Sequence, residues 1–171
     1  MASDKVRPEW FTIVNPNAGN GKGKKDWNRI AGLFENKGIP VVPKFTEKKL
    51  QAIEFARDAI GDGFRKIIAV GGDGTLNEVI NGIFSQEYCP GKDISVGMIP
   101  VGTGNDWGRM FGIPLVYEAA VDVIKQNKLL LHDIGVLTYH NGSEQNKRYF
   151  INIAGLGFEA LVVRKTNRQK D

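Results

Sequence analysis

The chain has 171 residues with a formal net charge of +4, and 42% of them are hydrophobic, which suits one full globular domain and the start of a second. No stretch approaches the roughly 20 apolar residues that a transmembrane helix needs, and the charged first ten residues are not expected to supply a signal-peptide core. The single cysteine, Cys89, excludes an internal disulfide, so we expect a reducing, cytoplasmic location.

Strand and helix patterns alternate along the first 128 residues. Apolar residues at helical spacing predict helices, and β-rich runs that end in Gly, Asn or Pro predict strands. The predicted strands cover residues 10–14, 41–45, 66–70 and 94–100. The predicted helices cover 24–37, a segment from an N-cap at Thr46 to Gly61, a segment containing Leu76 to Ile83, a short helix ending at Phe111, and 115–125.

These patterns predict the fold class. Residues 66–70 form a nearly uninterrupted apolar run, which is typical of a strand buried on both faces of a parallel sheet. Pro43 indicates that the 41–45 strand lies at an edge. Four strand–helix units with short loops therefore predict a doubly wound α/β domain over residues 1–128.

The pattern changes after Lys128. Strands are predicted for 129–139 and 147–153, around the hairpin signal Asn141-Gly142, with a loop longer than two residues. Residues 129–171 are therefore expected to begin a second, antiparallel β domain. The polar run from 164 to 171 has no closing element, so we expect this domain to be cut short.

Three glycine-containing loops follow the strands of the predicted α/β domain. They cover residues 15–23, 71–78 and 102–106. In open α/β sheets, ligands bind beyond the carboxyl ends of the strands. Glycines let backbone N–H groups approach an anion, and the helix after each loop adds its positive end. The loops are therefore expected to bind phosphate.

Two common phosphate-binding motifs are excluded by spacing. The segment Gly19 to Lys25 has three residues between the relevant glycines where a Walker A loop has four, and Lys25 stands where Ser or Thr binds magnesium. Lys24 occupies the final glycine position of a dinucleotide fingerprint. A flexible turn into a lysine-rich helix and direct phosphate contact remain equally open for residues 21–25.

Asp73 lies between two glycines directly after the buried strand. An unpaired carboxylate there would repel phosphate unless a cation bridged them, and magnesium accepts carboxylate, water and phosphate oxygens together. Asp106 and Asp133 offer two further carboxylates, although Asp106 alone reads as a helix N-cap and Asp133 as a strand-end residue. His132 and His140 have no partners that suggest a triad or metal site, so both are predicted to be structural.

The motifs resemble the diacylglycerol kinase catalytic domain family, which includes bacterial soluble diacylglycerol and related lipid kinases, sphingosine kinases and ceramide kinases. The resemblance is carried, in order, by residues 15–19 (Asn-Pro-Asn-Ala-Gly), 71–82 (Gly-Gly-Asp-Gly-Thr-Leu-Asn-Glu-Val-Ile-Asn-Gly), 100–106 (Pro-Val-Gly-Thr-Gly-Asn-Asp), 133–135 and 150–158.

This resemblance implies an ATP-dependent lipid kinase with an α/β domain, a β-sandwich, and ATP in the cleft between them. The acceptor would be a lipid hydroxyl, most readily that of diacylglycerol, and the family belongs to phospholipid metabolism. Asp73, Asp106 and Asp133 would organise Mg²⁺ and serve catalysis. The residues implied to line the ATP site are Asn15, Pro16, Asn17, Ala18, Gly19, Thr46, Gly72, Asp73, Gly74, Thr75, Leu76, Asn77, Glu78 and Thr103.

The positive charge would suit peripheral binding to an anionic membrane surface, where the lipid substrate lies. Aromatic residues are not interleaved with the lysines, as they are in proteins that stack nucleic-acid bases on aromatic side chains, so no nucleic-acid partner is expected. The family's proposed general base lies beyond this chain's end, so the 171-residue piece is expected to bind nucleotide weakly and transfer phosphate poorly. A sandwich cut short would also leave strand edges free to pair in a homodimer.

Two alternatives differ in class. An NAD kinase-like enzyme shares the Gly-Gly-Asp-Gly-Thr loop and the two-domain plan, but the Gly-Thr-Gly-Asn-Asp turn favours a lipid kinase. A non-catalytic nucleotide-binding module would keep the fold and lose the chemistry. The joint presence of the loops and all three aspartates argues against that module.

Overall fold

The computed structural model describes residues 6–152. The strands are β1 (Trp10–Val14), β2 (Val41–Phe45), β3 (Lys66–Gly71), β4 (Ser95–Pro100), β5 (Gly135–Asn141) and β6 (Glu144–Phe150). The α-helices are α1 (Ala18–Lys25), α2 (Trp27–Asn36), α3 (Gln51–Gly61), α4 (Asp73–Phe84), α5 (Asp106–Met110) and α6 (Tyr117–Gln126), and a 3₁₀ turn covers Gly91–Asp93. No helix in this part of the chain is long and apolar enough to cross a bilayer.

The first four strands form one parallel sheet in the order β2-β1-β3-β4. β2 lies at an edge, as Pro43 predicts. The connection from β2 to β3 passes over β1, so the strand order reverses between β1 and β3. In open α/β sheets the ligand crevice lies at such a reversal.

Both faces of the parallel sheet are covered by helices, which confirms the predicted doubly wound α/β class. Ile67 and Ala69 pack in a core with α3 and α4. Ile68 and Val70, which alternate with them along β3, pack in a second core with α2 and α6. The uninterrupted apolar run in β3 is explained by this arrangement, because successive side chains point into different cores.

Two helix starts differ from the sequence-based prediction. The helix predicted for 24–37 is divided, and its main part is α2. Thr46 is not an N-cap. Its backbone N–H donates to the Val14 carbonyl at 2.9 Å, which continues the β1–β2 pairing, and α3 begins only at Gln51 after Leu50 adopts a left-handed φ of 67°. Pairing with the sheet therefore prevails over the local capping preference of threonine.

The last two strands form a separate antiparallel hairpin. Its connection is the two-residue turn Gly142–Ser143, so the prediction of a longer loop is wrong; Gly142 has a φ of +65°, which suits a tight hairpin turn. β5 begins at Gly135, not at residue 129. Leu131 is outside the strand and 91% exposed. β6 covers Glu144–Phe150, so it begins and ends three residues before the predicted 147–153 strand. Residues 153–171 of the expected second domain lie outside the described residues.

Tyr117 ties α6 to α2. Its hydroxyl donates to Asp26 Oδ2 at 2.8 Å, and the Arg29 guanidinium lies 5.6 Å from the centre of its ring. Burial, together with the hydrogen bond to Asp26 and its negative charge, raises the pKa of Tyr117 to about 12. The neutral phenol is therefore the form that the folded state favours.

Tyr117→Phe is expected to lower the free energy of unfolding at neutral pH by about 1 kcal/mol, the typical contribution of one hydrogen bond. Because the folded pKa is raised above the unfolded value near 10, this contribution is present below that value and is lost as the pH rises toward the folded pKa. The difference between wild type and variant in urea unfolding should therefore shrink over this alkaline range. Tyr88→Phe is the control, because Tyr88 is 51% exposed and its recorded hydrogen bond is made by its backbone N–H.

Candidate active site

The three glycine-containing loops lie side by side at one edge of the parallel sheet. Val14 pairs with Val70, and Gly71 pairs with Pro100, so β1, β3 and β4 end at nearly the same level. A Cβ on Gly102 would lie 2.6 Å from the Cα of Gly72, so these two loops meet backbone to backbone. All three loops therefore follow the carboxyl ends of parallel strands, as the sequence predicts.

The first loop also contacts the third. Gly19 has a φ of +59°, and a Cβ at this position would collide with the carbonyl oxygen of Val101. A side chain here would both strain the backbone and separate the two loops. At Gly19 and Gly102 the third loop is therefore packed too closely against its two neighbours to admit a side chain, and backbone groups form these contacts.

Asn15 braces the first loop against the second. Its Oδ1 accepts a hydrogen bond from the backbone N–H of Asn17 at 3.0 Å, which forms an Asx turn. Its Nδ2 donates to Thr75 Oγ1, also at 3.0 Å, and Thr75 is only 5% exposed. Pro16 accepts from the backbone N–H of Lys24 through its carbonyl. Asn15 and Thr75 therefore shape the site, while Asn17 and Gly74 have exposed surfaces beside it.

Asp73 is the first residue of α4, and it joins the second loop to the third. Its Oδ1 accepts from the backbone N–H of Trp107 at 3.0 Å, and its Oδ2 accepts from that of Asp106 at 3.1 Å. These are first-turn N–H groups of α5, which otherwise have no partner within their own helix. The expectation of an unpaired carboxylate at Asp73 is therefore wrong: the carboxylate caps α5, so magnesium is not required to explain its position.

Asn105 is a buried residue of the third loop with a structural role that the sequence does not predict. It is 3% exposed, has a left-handed φ of 55°, and donates from Nδ2 to the Gly102 carbonyl at 2.6 Å. Its Oδ1 is buried and has no donor within residues 6–152. The sequence signal for this conformation is an Asn that precedes a helix in a glycine-containing turn, because Asn tolerates the left-handed region of backbone angles.

Two of the three predicted aspartates come together. A Cβ on Gly104 would lie 3.1 Å from Asp73 Oδ2 and 3.9 Å from Asp106 Oδ2. Asp133 is exposed, and no group of three or more Asp, Glu, His or Cys residues within 6–152 could hold a metal. Magnesium usually binds through one or two carboxylates together with water and substrate phosphate. Asp73 and Asp106 fit that pattern, and the metal role of all three aspartates stays a prediction.

Three residues expected to line the ATP site have partners elsewhere. The side chain of Leu76 is fully buried in the core beneath α4, so it is not available to a ligand. Glu78 accepts from the backbone N–H of Ala52 through Oε2 at 3.3 Å and so caps α3. Thr46 is buried at the end of β2 and bonded to Val14. Asn77 is partly buried within α4, and Thr103 is exposed in the third loop.

The remaining polar candidates have contacts that agree with structural roles. His132 Nε2 lies 3.0 Å from the carbonyl oxygen of Ile151, and its ring packs against the Phe111 ring at 5.2 Å between centres. Burial raises the pKa of the Cys89 thiol, which disfavours the thiolate that a nucleophile requires. Both side chains therefore lie outside the chemistry of the loops.

Known proteins with similar sequences are diacylglycerol kinases. The family model for the diacylglycerol kinase catalytic domain matches residues 9–137. The diacylglycerol kinase of Staphylococcus saprophyticus is 37% identical over 145 residues, which cover 85% of this chain and 44% of the relative. The diacylglycerol kinase of Staphylococcus haemolyticus is 38% identical, and the matched residues cover 40% of its length. This chain therefore spans less than half the length of these relatives.

A solved structure shares the fold. The crystal structure of a diacylglycerol kinase from Bacillus anthracis superposes with a TM-score of 0.65 at 26% identity, covering 78% of this chain and 45% of that one. The family match covers the parallel sheet and all three loops. The chain belongs to the diacylglycerol kinase catalytic domain family.

Proposed function

We propose that this chain forms the nucleotide-binding part of an ATP-dependent lipid kinase, which transfers the γ-phosphate of ATP to a hydroxyl of diacylglycerol. The observation that carries the proposal is the close contact of three glycine-containing loops at the strand reversal of the sheet. Backbone N–H groups on such a surface bind phosphate without steric conflict. The N-terminus of α4, a twelve-residue helix, adds positive charge at the second loop.

The residues of the loops have separate tasks in this proposal. Asn15 and Thr75 hold the first two loops together, while Asp73 holds α5 against the second loop. Asp73 and Asp106 would hold Mg²⁺, which neutralises developing charge on the transferring phosphate. The exposed lysines Lys22 and Lys24, at the end of the first loop in α1, would add positive charge near the phosphates.

The acceptor is proposed to come from an anionic membrane surface. Phosphoryl transfer depends mainly on positioning and charge neutralisation, so the lipid hydroxyl must be held in line with the γ-phosphate. The net positive charge of the chain favours association with anionic lipid headgroups. The lipid would then remain in the membrane while its headgroup enters the site.

A direct transfer assay tests this function. The protein in its full natural length is incubated with γ-labelled ATP and either diacylglycerol in mixed vesicles or soluble NAD. Labelled phosphatidic acid is the expected product, and labelled NADP would instead support the NAD kinase alternative. Nucleotide binding with no product from either acceptor would support a non-catalytic binding module.

A further inference from the structure

Asn81, in the third turn of α4, makes a two-point contact with the hairpin. Its Nδ2 donates to the Tyr149 carbonyl at 2.8 Å, and its Oδ1 accepts from the Tyr149 backbone N–H at 3.0 Å. Nδ2 also donates to the carbonyl of Asn77 in α4 at 2.7 Å. Asn81 is 8% exposed. Both Nδ2 donors and Oδ1 are therefore engaged in a buried position.

The contact imitates strand pairing. Tyr149 lies opposite Val136 in the hairpin, and both of its backbone polar groups point to Asn81. In an antiparallel pair, residues alternate between facing their partner strand and facing outward, so Tyr149 presents an outward pair of backbone groups. A side-chain amide carries the same donor and acceptor as a peptide group. Asn81 thus takes the place that a neighbouring strand would occupy at this edge of β6.

Aromatic packing reinforces this junction. The rings of Phe84 and Tyr149 lie 5.0 Å apart between centres and at 30° to each other. Ile151 follows β6 and is buried in the same core as the apolar face of α4. The hairpin is therefore held on α4 by specific hydrogen bonds as well as by apolar contact.

α4 carries the phosphate loop at one end and the hairpin further along. Asp73 and Thr75, in its first turn, hold the other two loops. Asn81 is eight residues after Asp73, about 12 Å along the helix axis at the standard rise. A continuous helix is stiff over this distance, so the position of the hairpin relative to the loops depends on the Asn81–Tyr149 contact.

We propose that Asn81 is a positioning residue that fixes the β5–β6 sheet relative to the phosphate loops. The inference rests on the proposed kinase function: the second sheet aligns the lipid acceptor, while the loops alone bind nucleotide. Loss of the contact therefore lowers the rate of transfer and leaves the affinity for ATP unchanged. A role in stability alone would instead reduce both in proportion to the unfolded fraction.

Asn81→Asp and Asn81→Ala test this inference, with Ile30→Val as a control for general destabilisation. Ile30 is buried beneath the opposite face of the sheet and does not contact α4 or the hairpin core. The first measurement is amide hydrogen exchange at Tyr149 in the 171-residue chain. Asn81→Ala removes the acceptor of the Tyr149 N–H and should speed this exchange by about tenfold, as expected for one lost hydrogen bond. An ionised Asp keeps an acceptor but repels the carbonyls of Tyr149 and Asn77, so it should open the contact and speed exchange as well. Ile30→Val should not speed exchange.

The second measurement uses the full-length protein. It compares kcat for phosphate transfer to dioleoylglycerol in phosphatidylglycerol vesicles with the affinity for a non-hydrolysable ATP analogue in the presence of Mg²⁺. Both Asn81 variants should lower kcat by about tenfold at unchanged nucleotide affinity. A protonated Asp has one donor and one acceptor, as an amide has, and burial raises the pKa of a carboxyl. The kcat of Asn81→Asp relative to wild type should therefore recover as the pH falls, and that of Asn81→Ala should not.

Unchanged exchange at Tyr149 in both Asn81 variants would disprove the contact. Faster exchange with kcat equal to that of Ile30→Val, or nucleotide affinity that falls as far as kcat, would disprove the positioning role. A wild-type protein that phosphorylates no lipid would overturn the proposed function separately. The exchange measurement needs no activity and would still test the contact in that case.

Discussion

Asp73→Asn is expected to lower kcat for lipid phosphorylation by about 10³-fold, the upper range for losing one preorganised electrostatic group. Asp73 lies where the three loops meet, and its two oxygens accept from the backbone N–H groups of Asp106 and Trp107. Asparagine keeps one acceptor but turns its NH₂ group toward the other backbone N–H. The negative charge that would hold Mg²⁺ is also removed.

The same variant should remain folded but become less stable. Replacing one of two charge-assisted hydrogen bonds at a helix N-terminus costs about 1–2 kcal/mol. Urea unfolding measures this loss, and labelled-phosphate transfer in the full-length protein measures kcat. If transfer survives at the wild-type rate, Asp73 only caps α5, and its assigned role in metal binding and catalysis is wrong.

Asp106→Asn is the matched variant for this experiment. The Asp106 side chain is 60% exposed, and its ion pair with Arg109 is 3.4 Å long and equally exposed. Exposed pairs of this kind contribute little to stability, so the free energy of unfolding should change by less than about 0.5 kcal/mol. A loss of transfer without a loss of stability would then assign Asp106 to the chemistry and separate that effect from the capping role of Asp73.

The fold could be predicted where the sequence pattern reflects burial. From Ile67 onward β3 is apolar because both of its faces are covered, and this pattern indicates a parallel sheet. Thr46 illustrates the limit. Its local sequence favours a helix cap, but whether its N–H pairs with Val14 depends on how far the neighbouring strand extends. A window of local sequence contains no information about that neighbour.

The site could be predicted at the level of loops but not of individual partners. Parallel strands place their carboxyl ends at one edge, so three loops after three strands must meet there. Asp73 finds its partners 33 and 34 residues away, and Glu78 finds Ala52 at a separation of 26 residues. No local spacing signals such contacts. The sequence therefore indicated where carboxylates lie, while their hydrogen bonds required the three-dimensional structure.

Gly102→Ala is expected to weaken nucleotide binding by about tenfold or more, because it forces the second and third loops apart. The added Cβ would lie 2.6 Å from the Cα of Gly72 and 3.0 Å from Asn105 Oδ1. Real Cβ atoms do not approach backbone so closely, so one loop must move. Overpacking of this kind costs about 1–3 kcal/mol in stability, and the displaced N–H groups no longer converge on one phosphate. Titration with Mg²⁺ and an ATP analogue measures the affinity.

Gly32→Ala separates this steric effect from the general effect of replacing glycine. Gly32 lies within α2, and a Cβ there meets no atom within 4 Å. Alanine should therefore stabilise the chain by about 0.5–1 kcal/mol through its higher helix propensity, with nucleotide affinity unchanged. The same Gly→Ala substitution is thus expected to destabilise the chain at residue 102 and to stabilise it at residue 32. If Gly102→Ala binds the analogue as well as Gly32→Ala does, the contact between the loops does not form the phosphate site.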